Sequence, residues 1–411
     1  MTGAGLISSF LAFLFNFIVV KLISPAIYGE YSTALAYAAI LSAPLTVFGL
    51  MVIRRIGQVE PAERALATWQ LQKQLSLSFQ KRWYLWATLL IALAFILAWG
   101  ANFSSWLTIF YIITTLIVSF FAVFYSSALQ AHKYFVSFGI ISITAALWKI
   151  LGGLVLVRYW PFLLIIYLVV IGVPLLTALV GRLVIFRRLN KKTLALPSKK
   201  LKPFHLAEII KKPSFLVPLS AILSTTLLLN LDLVIIKLFL PNETVGIYGV
   251  LALFVKILFY ASSPIINTAY TFFTGSESRH QNKKVLCLAT GAFLALGVLM
   301  YFAYKTYPDL LIKIVSSNDY LSLAPILFLA AFFGTIYSTV NLLSQYLVAK
   351  NSLWVAVPLL ICVLQTWALV TWHQNFTAII SVNIASGLGF LLIYLVAILH
   401  LKKGASRAAD H

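Results

Sequence analysis

Acidic side chains are scarce in this chain. Ten Asp and Glu stand against 31 Lys and Arg, and charged residues make up only 10% of its 411 residues. A water-facing surface needs many more, so a soluble domain is excluded. Cysteine is nearly absent. Cys287 and Cys362 both fall inside apolar runs, which leaves no disulfide framework and no thiolate metal site. The six histidines form no metal pattern, and none pairs with another one helical turn away. Paired carboxylates, a nucleotide-binding glycine loop and a P-loop are all missing, so no enzyme and no cofactor are expected. The net charge of +21 does not point to nucleic acid, because the basic residues lie in short loops between apolar runs.

What the chain has instead is apolar length. Hydrophobic residues make up 62% of it, and runs long enough to cross a bilayer recur from end to end. Twelve segments are expected to span: 4–23, 31–53, 83–100, 105–128, 138–157, 161–186, 214–240, 247–272, 285–304, 321–348, 353–372 and 376–400. The first carries no basic side chain ahead of it and is of spanning length, so it reads as an uncleaved helix. The segment 62–79 reads either as an amphipathic helix on the inner surface, with Leu71, Leu75 and Phe79 on one face, or as a plain linker.

Lys and Arg orient these spans. Five lie on one side (Lys21, Arg158, Lys237, Lys305 and Lys313), two lie mid-span (Lys149 and Lys256), and the other 24 lie on the opposite side. That bias predicts both termini in the cytoplasm of a plasma (bacterial inner) membrane protein. The outer-side acids Glu30, Glu243, Asp309 and Asp319 are scattered singly.

The chain also repeats itself. "VVKLISPAIYGEY" (19–31) is echoed by "IIKLFLPNETVGIYG" (235–249). Lys21 matches Lys237 and Pro25 matches Pro241; after one inserted residue, Gly29 matches Gly246 and Tyr31 matches Tyr248. The prolines should end the first helix of each half, the glycines should permit a tight turn, and the tyrosines should anchor the next helix at the interface. The expected fold is therefore all-α and polytopic, with two parallel six-helix lobes related by a pseudo-twofold axis along the membrane normal. The lobes are expected at 1–186 and 214–411, joined by a basic cytoplasmic linker at 187–213 that touches anionic lipid head groups.

These two openings, with Asn230 and Asp232 ahead of the second, resemble those of the polysaccharide-unit flippases of the multidrug/oligosaccharidyl-lipid/polysaccharide exporter superfamily. Twelve spans in a six-plus-six layout extend the resemblance over the whole chain and favour the O-antigen or capsule type. The resemblance implies transport of a polyprenyl-diphosphate-linked oligosaccharide to the outer leaflet by alternating access. It implies as partners the lipid-linked substrate, membrane lipids, a coupling cation (H+ or Na+) and other polysaccharide-assembly proteins, with no nucleic acid. A multidrug exporter of the same superfamily is the alternative, and a membrane glycan polymerase or glycosyltransferase a more distant one.

Ionisable residues inside a membrane are functional candidates, because burying them in hydrocarbon costs about 2.5 kcal/mol or more. Lys256 sits about ten residues into its span, roughly 15 Å deep. It shares a helical face with Gly249, Tyr260, Ser263, Asn267 and Tyr270. Lys149 lies at a similar depth in the first half, flanked by Ser142, Ala145, Gly152 and Gly153. A further stripe holds Gly334, Ser338, Asn341 and Gln345. The expected substrate-contacting set is Lys256, Lys149, Tyr260, Asn267, Asn341 and Gln345, with the lysines attracting phosphate. Asp232, the one acid within a span, is the candidate for ion coupling, since an acid in a low-dielectric wall can bind and release a cation. An internal contact between Asp232 and Lys256 or Asn230 is the structural alternative.

Overall fold

A computed structural model describes residues 2–61, 63–187, 213–274 and 279–407. Among the described residues all regular structure is helical. The elements are α1 (Thr2–Leu22), α2 (Pro25–Gly57), α3 (Arg64–Lys81), α4 (Trp83–Gly100), α5 (Trp106–Ala131), α6 (Phe135–Leu151), α7 (Leu163–Phe186) and α8 (Pro213–Phe239). They continue as α9 (Asn242–Thr274), α10 (Arg279–Thr306), α11 (Pro308–Val315), α12 (Leu327–Ala349), α13 (Pro358–Thr371) and α14 (Phe376–Arg407). Among the described residues eleven helical stretches are long and apolar enough to cross a membrane, and a shorter apolar stretch, Ile7–Leu22, precedes them. The all-helical, polytopic fold class is as expected. The basic linker lies outside the described residues from 188 to 212.

Local sequence explains several helix starts. Pro25 is the first residue of α2 and Pro358 the first of α13, a position where proline gives up an N–H that has no helical partner anyway. Ser105 caps α5 by accepting the Leu107 amide at 3.2 Å. Pro44, Pro174, Pro218 and Pro264 all sit inside helices that continue past them. The stretch 305–320, expected as loop between two spans, holds the short helix α11, and the expected tenth span opens with a 3-10 stretch, Asn318–Ile326.

Contacts divide the chain into two compact units. The first comprises Met1–Ile18 with Leu41–Phe215, and the second Val19–Ile40 with Leu216–His411. In the first unit, α3 settles the alternatives for 62–79. It is a helix, and the shared face is turned into the unit rather than onto a lipid surface. Leu71 is buried among Val52, Ile56, Leu129 and Ile185, with Leu75 packed on the same cluster. Phe79 meets Phe120 and Trp86. Arg64 fixes the start of α3. Its guanidinium donates to the carbonyls of Val59 (3.1 Å), Ala131 (3.0 Å) and Gly57 (3.3 Å). The last two are the terminal residues of α5 and α2, whose carbonyls have no helical donor left.

The repeat reappears in a feature that no sequence pattern announced. α5 ends in a left-handed turn at Lys133 (φ 60°), and α12 ends in one at Asn351 (φ 51°). In each, the next amide reaches back five residues: Tyr134 N–H to Leu129 O at 2.9 Å, and Ser352 N–H to Leu347 O at 3.0 Å. In each, the left-handed residue itself donates three residues back, to Gln130 O and Val348 O, both at 2.9 Å. These are the same helix-ending motif, in corresponding places of the two sequence halves.

Candidate functional site

The repeated stretch itself packs against its own echo. An ideal Cβ on Gly29 would fall 2.0 Å from the carbonyl oxygen of Asn242, and one on Gly246 would fall 1.9 Å from that of Pro25. The two contacts are reciprocal and carry the same 217-residue offset. The tight turns expected of these glycines are therefore absent. The glycines lie within α2 and α9 and let two helix starts touch backbone to backbone. The expected interfacial role of Tyr31 and Tyr248 is also corrected. Both are buried, at 1% and 2% exposure, because the second unit closes over them.

Tyr248 is turned inward to Asp232. Four helices of the second unit supply this site: α8 with Asp232 and Asn230, α9 with Tyr248 and Lys256, α13 with Gln365, and α14 with Asn383. The Tyr248 hydroxyl donates to Asp232 Oδ2 at 2.6 Å, and Asn383 Nδ2 donates to the same oxygen at 2.7 Å. The Leu233 amide donates to Asp232 Oδ1 at 2.7 Å. Gln365 Nε2 in turn donates to Asn383 Oδ1 at 2.8 Å, which orients that amide toward the acid. Asp232 is 2% exposed, so this shell of donors replaces the water it has lost. Gln365 Oε1, at the far end of the chain of bonds, is buried without a partner.

Lys256 reaches the same cluster. Its Nζ donates to Asn230 Oδ1 at 3.1 Å, so it touches the acid's neighbour rather than the acid. Its side chain is half-buried. Past it, α9 keeps one side open: Tyr260, Ser263 and Tyr270 are half-buried and Asn267 is exposed. The stripe on α12 divides in two. Gly334 sits against the backbone of α9, where a Cβ would lie 2.9 Å from the Val255 carbonyl oxygen, and Ser338 accepts from Ser262 at 3.0 Å. Those two positions serve helix packing. Asn341 and Gln345 are half-buried.

In the first unit Lys149 stands apart. Its Nζ lies 5.6 Å from the centre of the Phe15 ring, a cation–π contact, and its side chain is half-buried. Directly after it α6 loosens into a π-helix, Gly152–Val157, a distortion often found beside functional residues. Gly152 and Gly153 explain how the chain fits there. A Cβ on the first would run into Val169 and one on the second into Phe15.

Sequence reasoning missed Tyr248, Asn383 and Gln365 as partners of Asp232. It also missed a buried ion pair. Glu30 Oε2 lies 3.2 Å from Lys237 Nζ, with the two side chains 3% and 2% exposed. Lys237 donates as well to Asn242 Oδ1. Glu30 and Lys237 had each been counted singly on the outer side.

No family model matches this sequence, and no curated protein sequence matches it. Solved structures do match in fold. The eukaryotic MATE transporter AtDTX14 superposes with a TM-score of 0.65 at 13% identity, over 97% of this chain and 94% of that one. An inward-facing multidrug resistance MATE transporter of the MOP superfamily gives 0.60 at 14%, over 96% of each chain. The lipid II flippase MurJ gives 0.60 at 12%, over 97% of this chain and 86% of that one. The chain thus has the fold of MOP-superfamily transporters, and it is an integral membrane protein.

Proposed function

We propose that the protein flips a polyprenyl-diphosphate-linked oligosaccharide from the inner to the outer leaflet of a plasma membrane, with both termini cytoplasmic. The observation that carries this reading is the character of the charges inside the spans. Two half-buried lysines, Lys256 and Lys149, stand at mid-membrane depth, while the one acid there, Asp232, is enclosed by donors of its own unit. Accessible cations favour an anionic cargo. A diphosphate cannot enter bare hydrocarbon, and a lysine at that depth offsets part of the cost. Tyr260, Asn267, Asn341 and Gln345 supply hydroxyl and amide groups for the sugars. Asp232, with Tyr248 and Asn383 around it, is the place where a proton or Na+ couples to transport.

The second reading is multidrug export, favoured by the fold likeness to MATE transporters. One experiment separates the two. Cells lacking the protein should strand lipid-linked glycan on the inner leaflet, and Lys256→Ala should reproduce most of that defect. Unchanged glycan export with altered sensitivity to cationic drugs would support the second reading instead.

A further inference from the structure

The outer ends of α2 and α9 (the side poor in Lys and Arg) meet in an arrangement that packing alone does not call for. Two helix starts cross at Gly29 and Gly246, each glycine facing the other helix's first carbonyl. One residue beyond that crossing, Glu30 of α2 pairs with Lys237 of α8 at 3.2 Å, and Lys237 also donates to Asn242 of α9. Three helices are tied at one buried point.

The repeat would not by itself produce this pair. The counterpart of Lys237 is Lys21, which is exposed, and the position matching Glu30 holds Ile247. A buried ion pair is a poor device for stability, because well-packed apolar residues of the same volume do as well or better. Its best-attested use is to specify one arrangement among several. A charged pair differs from an apolar contact in one respect that matters here. When it parts, water can solvate both ions, so the separated state is also tolerated. The glycine crossing beneath is made of backbone atoms of both helices, and only the small Ser32 and the edge of the Tyr28 ring pack against Gly249 one turn deeper, so little side-chain interlock has to be undone.

We infer that the Glu30–Lys237–Asn242 cluster, with the Gly29/Gly246 crossing under it, is a separable latch. Joined, it closes the chain against the outer side; parted, it admits water and small molecules between α2 and α9. The inference rests on the transport reading, in which such a contact must open once per cycle.

Ser32 reports on the latch. It is 6% exposed and lies one turn deeper on α2, packed against Gly249. With Cys287 and Cys362 replaced by serine and Ser32→Cys introduced, an impermeant maleimide applied from outside should label the parent slowly. Neutralising the pair with Glu30→Gln and Lys237→Met should raise the labelling rate about tenfold by shifting population toward the parted state. Reversing it with Glu30→Lys and Lys237→Glu should bring the rate back toward the parent. If the neutral protein, shown to be folded by its size-exclusion profile, labels at the parental rate, the latch is overturned. The same follows if the reversed pair stays as fast as the neutral one. Should the double neutral variant fail to fold, Asn242→Ala is read in the same way, with a smaller rise expected. A reducible bis-methanethiosulfonate cross-link between Glu30→Cys and Lys237→Cys should stop glycan export until reductant is added. Export at the reduced rate while cross-linked also overturns the latch. No export even after reduction counts against the transport reading, and the labelling results still decide the latch.

Discussion

Gly246→Ala is the sharpest stability test of the crossing. The added Cβ would fall 1.9 Å from the Pro25 carbonyl oxygen, 2.7 Å from its carbon and 3.0 Å from the Gly29 nitrogen. All three obstacles are backbone atoms, so no rotamer change can relieve the clash. Restoring an ordinary carbon–oxygen contact needs the two helix starts to separate by roughly 1.3 Å, and overpacking of that kind costs about 1–3 kcal/mol. That loss outweighs the gain of about 0.5–1 kcal/mol that alanine brings to a helix interior. Gly291→Ala supplies the control. Gly291 lies inside α10, exposed, with nothing within 4 Å of a Cβ, so only the gain of up to about 1 kcal/mol remains there. The two substitutions should therefore move stability in opposite directions. Gly29→Ala should resemble Gly246→Ala, and the double variant should cost less than the sum, because the first separation already makes room for the second methyl. The assay is thermal unfolding of the detergent-solubilised protein followed with a thiol-reactive dye. Replacing the exposed Cys287 by serine leaves the buried Cys362 to report on opening. If Gly246→Ala matched Gly291→Ala in sign and size, the backbone contact would not exist, and the latch built upon it would fall as well.

The remaining predictions concern polar groups inside the units. Asn383→Leu removes one donor from the buried Asp232 and leaves Gln365 Nε2 without its best acceptor, so thermal unfolding should show a loss of about 1–3 kcal/mol. Tyr248→Phe should cost a similar amount, and a transporter coupled through Asp232 should also lose its response to an imposed proton or sodium gradient. Arg64→Ala leaves the helix-end carbonyls of Gly57 and Ala131 without their donor; a loss of about 1.5–3 kcal/mol and faster hydrogen exchange at the ends of α2 and α5 are expected. Lys133→Gly should stabilise by up to about 1 kcal/mol, since glycine adopts the left-handed turn without steric cost. A destabilised Lys133→Gly protein would show that the lysine side chain does something beyond completing that turn.

The membrane architecture was legible because hydrophobic length is a strong and local signal. A span is about 20 consecutive apolar residues, and no tertiary information is needed to count them. The repeat was legible for a similar reason: proline and glycine are constrained by backbone geometry wherever they occur. What they do was less legible. Gly29 and Gly246 looked like turn residues because a glycine after a proline near a helix end commonly is one. Their use in a crossing depends on two segments more than 200 residues apart arriving together. Tyr248 failed in the same way. An aromatic ring at a predicted interface looks like an anchor, and only the arrival of α8 and α14 turns it into a donor to Asp232. Neutral amides such as Asn383 and Gln365 carry almost no signal in sequence, since one amide in an apolar run is unremarkable until its partner is known. The Glu30–Lys237 pair was hidden by position, because charges near a helix end are usually solvated.

A pattern emerges when the repeat is divided into what it keeps and what it drops. Pro25 and Pro241, Gly29 and Gly246, and the left-handed ends at Lys133 and Asn351 are kept in both halves, and every one of them shapes backbone. The acidic positions are dropped. Asn16 stands where the second half has Asp232 and Ile247 where the first has Glu30, while the lysine is kept but is exposed as Lys21 and buried as Lys237. On the proposed transport reading, an ion site and a latch each need to exist only once, so their acids need no counterpart in the other half. A protein in which Asn16→Asp and Ile247→Glu restored the missing charges would test this directly. Each change adds a carboxylate at a half-buried position where the parent side chain is uncharged, so part of the cost of desolvating an ion is incurred at each. The doubled variant should therefore unfold at a lower temperature than the parent. If it remained as stable and as active, charge asymmetry would have to be an accident of descent rather than a working part of the fold.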